Sequence, residues 1–189
     1  QVVGLPDTSI QEAKERIRTA WKNSGLHFPN NSRIVINLAP AHLRKEGTAY
    51  DLPMAVGMWL ASEPREGVLL SDALLVGELA LDGSLRHTNG VLPLAIFAAA
   101  HGYTRLFVPR ANAEEAGLIK GVTTYPVDSL RQLIEHLTGV GVITPITHQP
   151  ITALLSRTMG EADMADIRGQ DFAKRALEIA ASGAHNILM

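Results

Sequence analysis

The stretch Asp163–Met189 reads DMADIRGQDFAKRALEIAASGAHNILM and decides how the C-terminal part of the chain is interpreted. Its pattern predicts a helix over residues 170–181, because apolar residues recur on one face at helical spacing. That face comprises Phe172, Ala173, Ala176, Leu177 and Ala180. Gly183 suits the residue that follows a helix end. We expect Ile187–Met189 to begin a buried strand of the kind that often leads into a glycine-rich phosphate loop, although the loop motif G-x-x-x-x-G-K-[ST] is not in this sequence.

This stretch resembles the N-terminal lead-in of AAA+ ATPases of the magnesium-chelatase type. Three runs match in order: Asp166–Gln170, Ala173–Ala180 and His185–Met189. In that family an Ile-x-Gly-Gln turn lies beside the adenine of bound ATP, so the resemblance implies adenine-side contacts for Ile167, Gly169 and Gln170. It also implies ATP and Mg as cofactors of a longer parent protein whose gene continues into the phosphate loop, and no cofactor for this chain alone.

The composition is that of an ordinary globular protein. Hydrophobic residues make up 46% of the 189 residues and charged residues 19%, and the formal net charge is -2. The whole chain therefore has no bulk attraction for nucleic acid, and a nucleic-acid site has to be a local patch. The absence of cysteine excludes disulfides and thiolate metal sites, and it is compatible with a cytoplasmic location. No apolar run approaches the ~20 residues of a membrane span, and the seven histidines show no metal-ligand spacing.

Strands and helices alternate along the rest of the chain, which predicts an α/β fold of the two-layer α+β kind. Strands are predicted at 1–5, 33–38, 105–108 and 122–125, with a hairpin over 74–87 around Asp82-Gly83. Helices are predicted after a Ser9/Glu12 capping box, over 54–61 with Asp51 as cap, over 91–101, over 112–116, and from Asp128 to about 137. Gly and Pro make residues 139–162 a linker by composition, between a domain at 1–138 and the segment 163–189.

A second signature lies in the first predicted domain. The segments Asn37–Ala55, Gly77–Gly83 and Gly90–Pro93 resemble the proteolytic domain of Lon protease, in the version carried by Mg-chelatase-like ATPases of the ComM type. Lon proteases use a serine nucleophile and a lysine base. On the matching positions this sequence has Ala49 and Leu92, whose side chains can neither attack nor accept a proton. The resemblance thus implies the Lon-like fold without a catalytic dyad, and Thr48 has no lysine at the base position to activate it.

Together the two resemblances imply that the first domain is N-terminally truncated and that the chain stops at the start of an AAA+ module. For the parent protein they imply a hexameric, ATP-driven helicase or branch-migration motor on DNA, acting in natural transformation or recombination. Basic residues near loop ends are then the candidate DNA contacts: Arg44, Lys45, Arg86 and Arg110, with Arg65 also near a loop end. We expect Arg44 and Lys45 to lie in solvent.

Two other classes of function stay open at this point. One is the ATPase subunit of a magnesium chelatase, which drives metal insertion into a porphyrin; the long Lon-like region argues against it. The other is an active Lon-like peptidase, which Ala49 and Leu92 argue against. This chain lacks the Walker motifs, so the sequence alone does not establish an enzyme.

Overall fold

The computed structural model describes residues 2–4, 6–29, 33–40, 42–62, 67–148 and 164–188. The chain divides into two compact units, Gln1–Gln149 and Pro150–Met189. The first unit mixes α-helices with small parallel and antiparallel sheets, in agreement with the predicted fold class.

Helix α1 spans Thr8–Asn23, and its N-terminal cap is Asp7. Asp7 Oδ1 accepts a hydrogen bond from the Ile10 amide at 2.9 Å, and its Oδ2 accepts from the Gly47 amide at 3.1 Å. These bonds lower the pKa of Asp7. The predicted capping box of Ser9 and Glu12 is therefore wrong: the helix begins earlier, at a residue type that caps as well as serine. The predicted apolar face is buried: Ile10, Ala13, Ile17, Ala20 and Trp21.

Strand β1 (Val2–Val3) pairs in parallel with strand β2 (Ile36–Asn37). The sequence predicts a longer strand over 33–38, and alternate residues along this stretch are exposed and half-buried as a strand requires. The paired ladder covers two residues, Val2 with Ile36 and Val3 with Asn37.

Helix α2 spans Asp51–Ser62 and is almost wholly apolar, as predicted. It packs in the first hydrophobic core together with α1 and with α5, which spans Leu130–Leu137. The buried side chains of that core include Trp21, Leu52, Trp59 and Leu133. Asp51 is the first helical residue, but its side chain is buried among other partners and does not cap the helix.

A parallel sheet lies between the first core and a second, smaller one. Its strands are β3 (Ala73–Leu75), β6 (Arg105–Pro109) and β7 (Thr123–Val127), in the order β3-β6-β7. The separate hairpin is β4 (Glu78–Leu79) with β5 (Leu85–Arg86). Asp82 and Gly83 form the predicted turn, but the predicted hairpin starts too early, because β3 pairs with β6 instead.

The remaining helices of the first unit cover the sheet. They are α3 (Val91–Ala100), a 3-10 turn (Arg110–Asn112) and α4 (Ala113–Ala116). Helix α5 is capped by Ser129, whose hydroxyl accepts from the Gln132 amide at 3.2 Å. The predicted cap, Asp128, instead holds the guanidinium of Arg110, so that prediction is wrong.

Two isoleucines of the predicted linker, Ile143 and Ile146, pack onto the first unit. Ile143 is buried in the first core, and its amide donates to Nδ1 of His136 at 3.2 Å. Ile146 donates its amide to the Thr124 carbonyl at 3.0 Å. Residues 149–163, which include the rest of the predicted linker, lie outside the described part of the chain.

The second unit contains a 3-10 turn (Met164–Asp166) and helix α6 (Asp171–Ser182), which is followed by Gly183 as predicted. Ile187 and Leu188 are exposed and form no strand, so the prediction of a buried strand is wrong for them; Met189 lies outside the described residues. An extended segment becomes a strand only when it has a partner, and no described residue of this unit pairs with it. No helix in the described ranges is long and apolar enough to cross a membrane.

The ring of His136 makes the folding of the first unit sensitive to pH. Burial, and then the nearby positive charge of Arg105, lower its pKa from the ordinary value of 6.5. The unfolded chain therefore binds a proton more readily than the folded chain, and stability is lost as the pH falls below about 6.5 towards the folded-state pKa. We expect His136→Gln to flatten this pH dependence in chemical denaturation between neutral and mildly acidic pH. An unchanged pH dependence would show that other groups cause the loss.

Candidate functional site

The turn before α2 is fixed to the residues around β4. The amide of Gly77 donates to the Ala49 carbonyl at 3.1 Å, and the amide of Leu52 donates to the Gly77 carbonyl at 3.0 Å. The Thr48 hydroxyl donates to the Glu78 carboxylate. Ala49, at the predicted nucleophile position, is half-buried against the second core. The turn thus presents a methyl group at the position where the sequence comparison predicts a nucleophile, and this correspondence stays a prediction.

Leu92, at the predicted base position, lies in the first turn of α3. Its side chain is half-buried, and Gly90 before it has a φ of 82°, which lies in the left-handed region. An aliphatic side chain cannot accept a proton from a nucleophile. Thr48 has a hydroxyl, but that hydroxyl is already bound to Glu78.

A buried ion pair lies directly behind this turn. Arg16 Nε donates to Asp51 Oδ2 at 2.8 Å, and its Nη2 donates to Asp51 Oδ1 at 3.0 Å. The Leu79 amide also donates to Asp51 Oδ2, at 3.2 Å. Burial raises the pKa of Asp51, while the hydrogen bonds to that carboxylate raise the pKa of Arg16. Asp51 is fully buried, and its ion pair with Arg16 joins α1 to the start of α2.

Lys45 is too deeply buried to contact DNA. Only 6% of it is exposed, and its ammonium group donates to the carbonyl of Gly4 at 3.1 Å and to the carbonyl of Pro40. Its own carbonyl accepts from the Asp7 amide at 3.0 Å. The expectation that Lys45 lies in solvent is therefore wrong: the side chain ties the loop before α2 to the end of β1.

The three arginines predicted to contact DNA are exposed. Arg44 pairs with Glu46 at 3.2 Å, and Arg110 holds Asp128 through two hydrogen bonds. Arg86 lies on β5, directly across from Glu78, and no ion pair to it occurs in the described residues. The structure brings Arg86 and Arg110 onto neighbouring segments, because the amide of Leu85 donates to the carbonyl of Asp128 at 2.9 Å. Arg65 lies outside the described residues.

The predicted adenine-side turn of the second unit has an unusual backbone. Gly169 and Gln170 both have positive φ, 68° and 60°, and Gln170 immediately precedes α6. The ammonium group of Lys174 donates to the carbonyl of Ile167, which holds the turn against the first turn of the helix. The Ile167 side chain is 45% exposed. The turn offers an exposed apolar side chain, and its contact with adenine stays a prediction.

Two features of the site were not predicted from the sequence. The ion pair of Arg16 with Asp51 joins residues far apart in the chain, and only the single charge at the start of a wholly apolar helix hinted at a buried partner. The burial of Lys45 had no sequence signal, since it follows another basic residue in a polar run. Within the ranges that the structure describes, no group of three or more His, Asp or Glu residues could hold a metal ion.

Two family models match the chain, and both describe the same family. A family model described as subunit ChlI of Mg-chelatase matches residues 1–112, and one described as magnesium chelatase, subunit ChlI, matches residues 163–189. The chain belongs to this Mg-chelatase-like family.

Within the family, the similar proteins are of the ComM type. The chain is 40% identical to competence protein ComM of Haemophilus influenzae over 189 residues, which cover 99% of the chain and 36% of that protein. It is 41% identical to the uncharacterized protein YifB of Salmonella typhimurium, and 40% identical to YifB of Escherichia coli, in each case over the whole chain and 36% of the relative. The chain thus spans about a third of the length of these relatives.

The role of Lys45 can be tested by comparing it with its neighbour. Lys45→Met keeps the apolar stem but leaves the Gly4 and Pro40 carbonyls without their charged donor. We expect it to lower the free energy of unfolding by about 2 kcal/mol. Arg44→Met removes an exposed positive charge and should change the free energy of unfolding little. Chemical denaturation of the two variants checks this, and equal stabilities would show that the buried ammonium group does not hold the loop.

The protease-like turn should be without activity. With Ala49 and Leu92 at the dyad positions, the chain should hydrolyse no fluorogenic peptide above background. Installing Ser at 49 and Lys at 92 need not restore turnover, because a dyad also requires an oxyanion site and supporting contacts. Turnover by the unmodified chain that disappears in Thr48→Val would contradict this account.

Proposed function

We propose that this chain is the non-proteolytic Lon-like region, and the beginning of the nucleotide-binding module, of an ATP-driven motor that acts on DNA. The parent protein would work as a hexameric ring in the cytoplasm, as a helicase or branch-migration motor in transformation or recombination. The observation that carries the proposal is 40% identity over almost the entire chain to a protein named for competence. The family membership supports the ATPase part of the proposal.

The nucleotide would be ATP with Mg, bound mainly by segments other than those described here. In this chain Ile167, Gly169 and Gln170 would lie on the adenine side. An exposed aliphatic side chain next to a turn of positive φ suits the apolar face of a base, and the bond from Lys174 to the Ile167 carbonyl keeps that face in place. The Lon-like region would then contribute assembly and DNA contacts rather than catalysis.

Because Lys45 is buried, Arg44, Arg86 and Arg110 are left as the proposed DNA contacts. Arg44 and Arg110 would have to exchange their bonds to Glu46 and Asp128 for bonds to phosphate, whereas Arg86 forms no ion pair in the described part of the chain, although Glu78 lies directly across from it. An arginine that already binds a carboxylate gains less free energy from binding a phosphate. Each subunit would therefore contribute few and weak contacts to DNA. Such contacts become effective when a ring repeats them, because linked sites gain effective concentration.

The salt dependence of DNA binding by the assembled full-length protein tests this proposal. Each phosphate neutralised by an arginine contributes about -0.9 to the slope of log affinity against log salt. Arg86→Glu should flatten the slope most, Arg44→Glu and Arg110→Glu should flatten it less, and Lys120→Glu is the charge-matched control. Equal slopes for all four variants and the wild-type protein would move the DNA site into the AAA+ module and leave this region an assembly role.

A further inference from the structure

Residues 142–148, which follow the end of α5, form a strap against the first unit. Ile143 is 3% exposed in the first core, and Ile146 packs against the second core. The amide of Ile146 donates to the Thr124 carbonyl on β7 at 3.0 Å. Gly117 gives Ile146 its room, since a Cβ at that position would lie 2.5 Å from the Ile146 Cδ1. The strap is thus seated by two apolar side chains and one backbone hydrogen bond.

Two histidines also hold the strap, with opposite hydrogen-bond roles. Nδ1 of His136 lies 3.2 Å from the amide of Ile143, which can only donate, so this ring nitrogen accepts and carries no proton. Nδ1 of His148 lies 2.9 Å from the carbonyl of Gly117, which can only accept, so this nitrogen donates. An imidazolium donates from both ring nitrogens, and protonation therefore keeps the bond of His148. At His136 the same proton sets one N–H against another.

The groups next to His136 also favour its neutral ring. Tyr125 on β7 lies with its ring centroid 5.3 Å away and brings no negative charge as a phenol. Burial, and then the positive charge of Arg105 on β6, lower the pKa of His136 from its ordinary value of 6.5. The carboxylate of Asp72 is already bound to Arg105, and residues 142–147 contain no ionisable side chain. The strapped state therefore loses stability relative to a released state as the pH falls below about 6.5.

We infer that residues 142–148 are a pH-dependent strap, which neutral His136 latches and acidification releases while the rest of the first unit stays folded. A proton on Nδ1 removes the acceptor of the buried Ile143 amide, and Ile143 and Ile146 then leave their cores together. The strap ends one residue before the boundary between the two units. Its release adds seven residues, each worth up to roughly 3.5 Å of reach, to the chain that joins them. The pH thus sets the length of the connection between the units.

Amide hydrogen exchange of the complete chain tests the inference. Protection factors, corrected for the intrinsic exchange rate, are compared between neutral pH and about pH 5. We expect those of Ile143 and Ile146 to fall roughly tenfold or more on acidification, while the amides of β6 stay protected. Unchanged protection of the two isoleucines, loss at Ile143 alone, or simultaneous loss along β6 would each overturn the inference, because they indicate no release, one broken bond or global unfolding.

Three variants separate the latch from the other histidine. His136→Asn places an uncharged amide oxygen near the position of Nδ1, so Ile143 and Ile146 should stay protected at both pH values. His136→Phe keeps a ring but no acceptor, and should release the strap already at neutral pH. His148→Asn is the matched control, in which acid should still release the strap. Release of the His136→Asn variant by acid, or loss of the pH dependence in His148→Asn, would contradict the role of His136.

Discussion

The arrangement of the first unit depends on one buried carboxylate. Asp51 is completely removed from solvent, and it receives two hydrogen bonds from Arg16 on α1 and one from the amide of Leu79 on β4. A buried charge is tolerated only when its partners are fixed, and removing one partner of such a pair typically costs about 3–5 kcal/mol. The pair therefore determines how α1 crosses the start of α2. It also places the turn of Thr48 and Ala49 against the hairpin, so the geometry of that turn follows from it.

The parallel sheet explains why there are two cores. Along β6, Phe107 points into the first core, while Leu106 and Val108 point into the second. A parallel sheet buried on both faces needs apolar residues at every position, which is why β6 does not alternate with polar residues. The second core also fixes the loop before α3: the buried Asn112 exchanges hydrogen bonds with the backbone of Thr88 at 2.9 and 2.8 Å. Arg86 and Leu92, on either side of that loop, are held in place by this amide.

The sequence predicts the helices well because their periodicity is local. The buried face of α1 and the apolar character of α2 follow from spacing alone. Caps are less predictable, because several residue types can cap: Asp7 replaces Ser9 for α1, and Ser129 replaces Asp128 for α5. Strands are predicted least well, since their extent depends on partners elsewhere in the chain.

The candidate site shows the same division between local and distant causes. The side chains of Ala49 and Leu92 have no nucleophilic or basic group, and no fold is required to see it. The burial of Lys45 and the pairing of Arg44 and Arg110 depend on carbonyls and carboxylates brought close by folding. A list of basic residues in a sequence therefore overstates the positive charge that a surface can offer.

The charges of this chain give it little attraction for a polyanion such as DNA. With a net charge of -2, no general field attracts DNA to the chain. Of the four basic candidates, Lys45 is buried. Arg44 and Arg110 form ion pairs with carboxylates. A single copy thus offers little electrostatic free energy, and each contact is readily screened by salt. Under the proposed function, several subunits would have to contact DNA together, because weak contacts become effective when linked sites gain effective concentration.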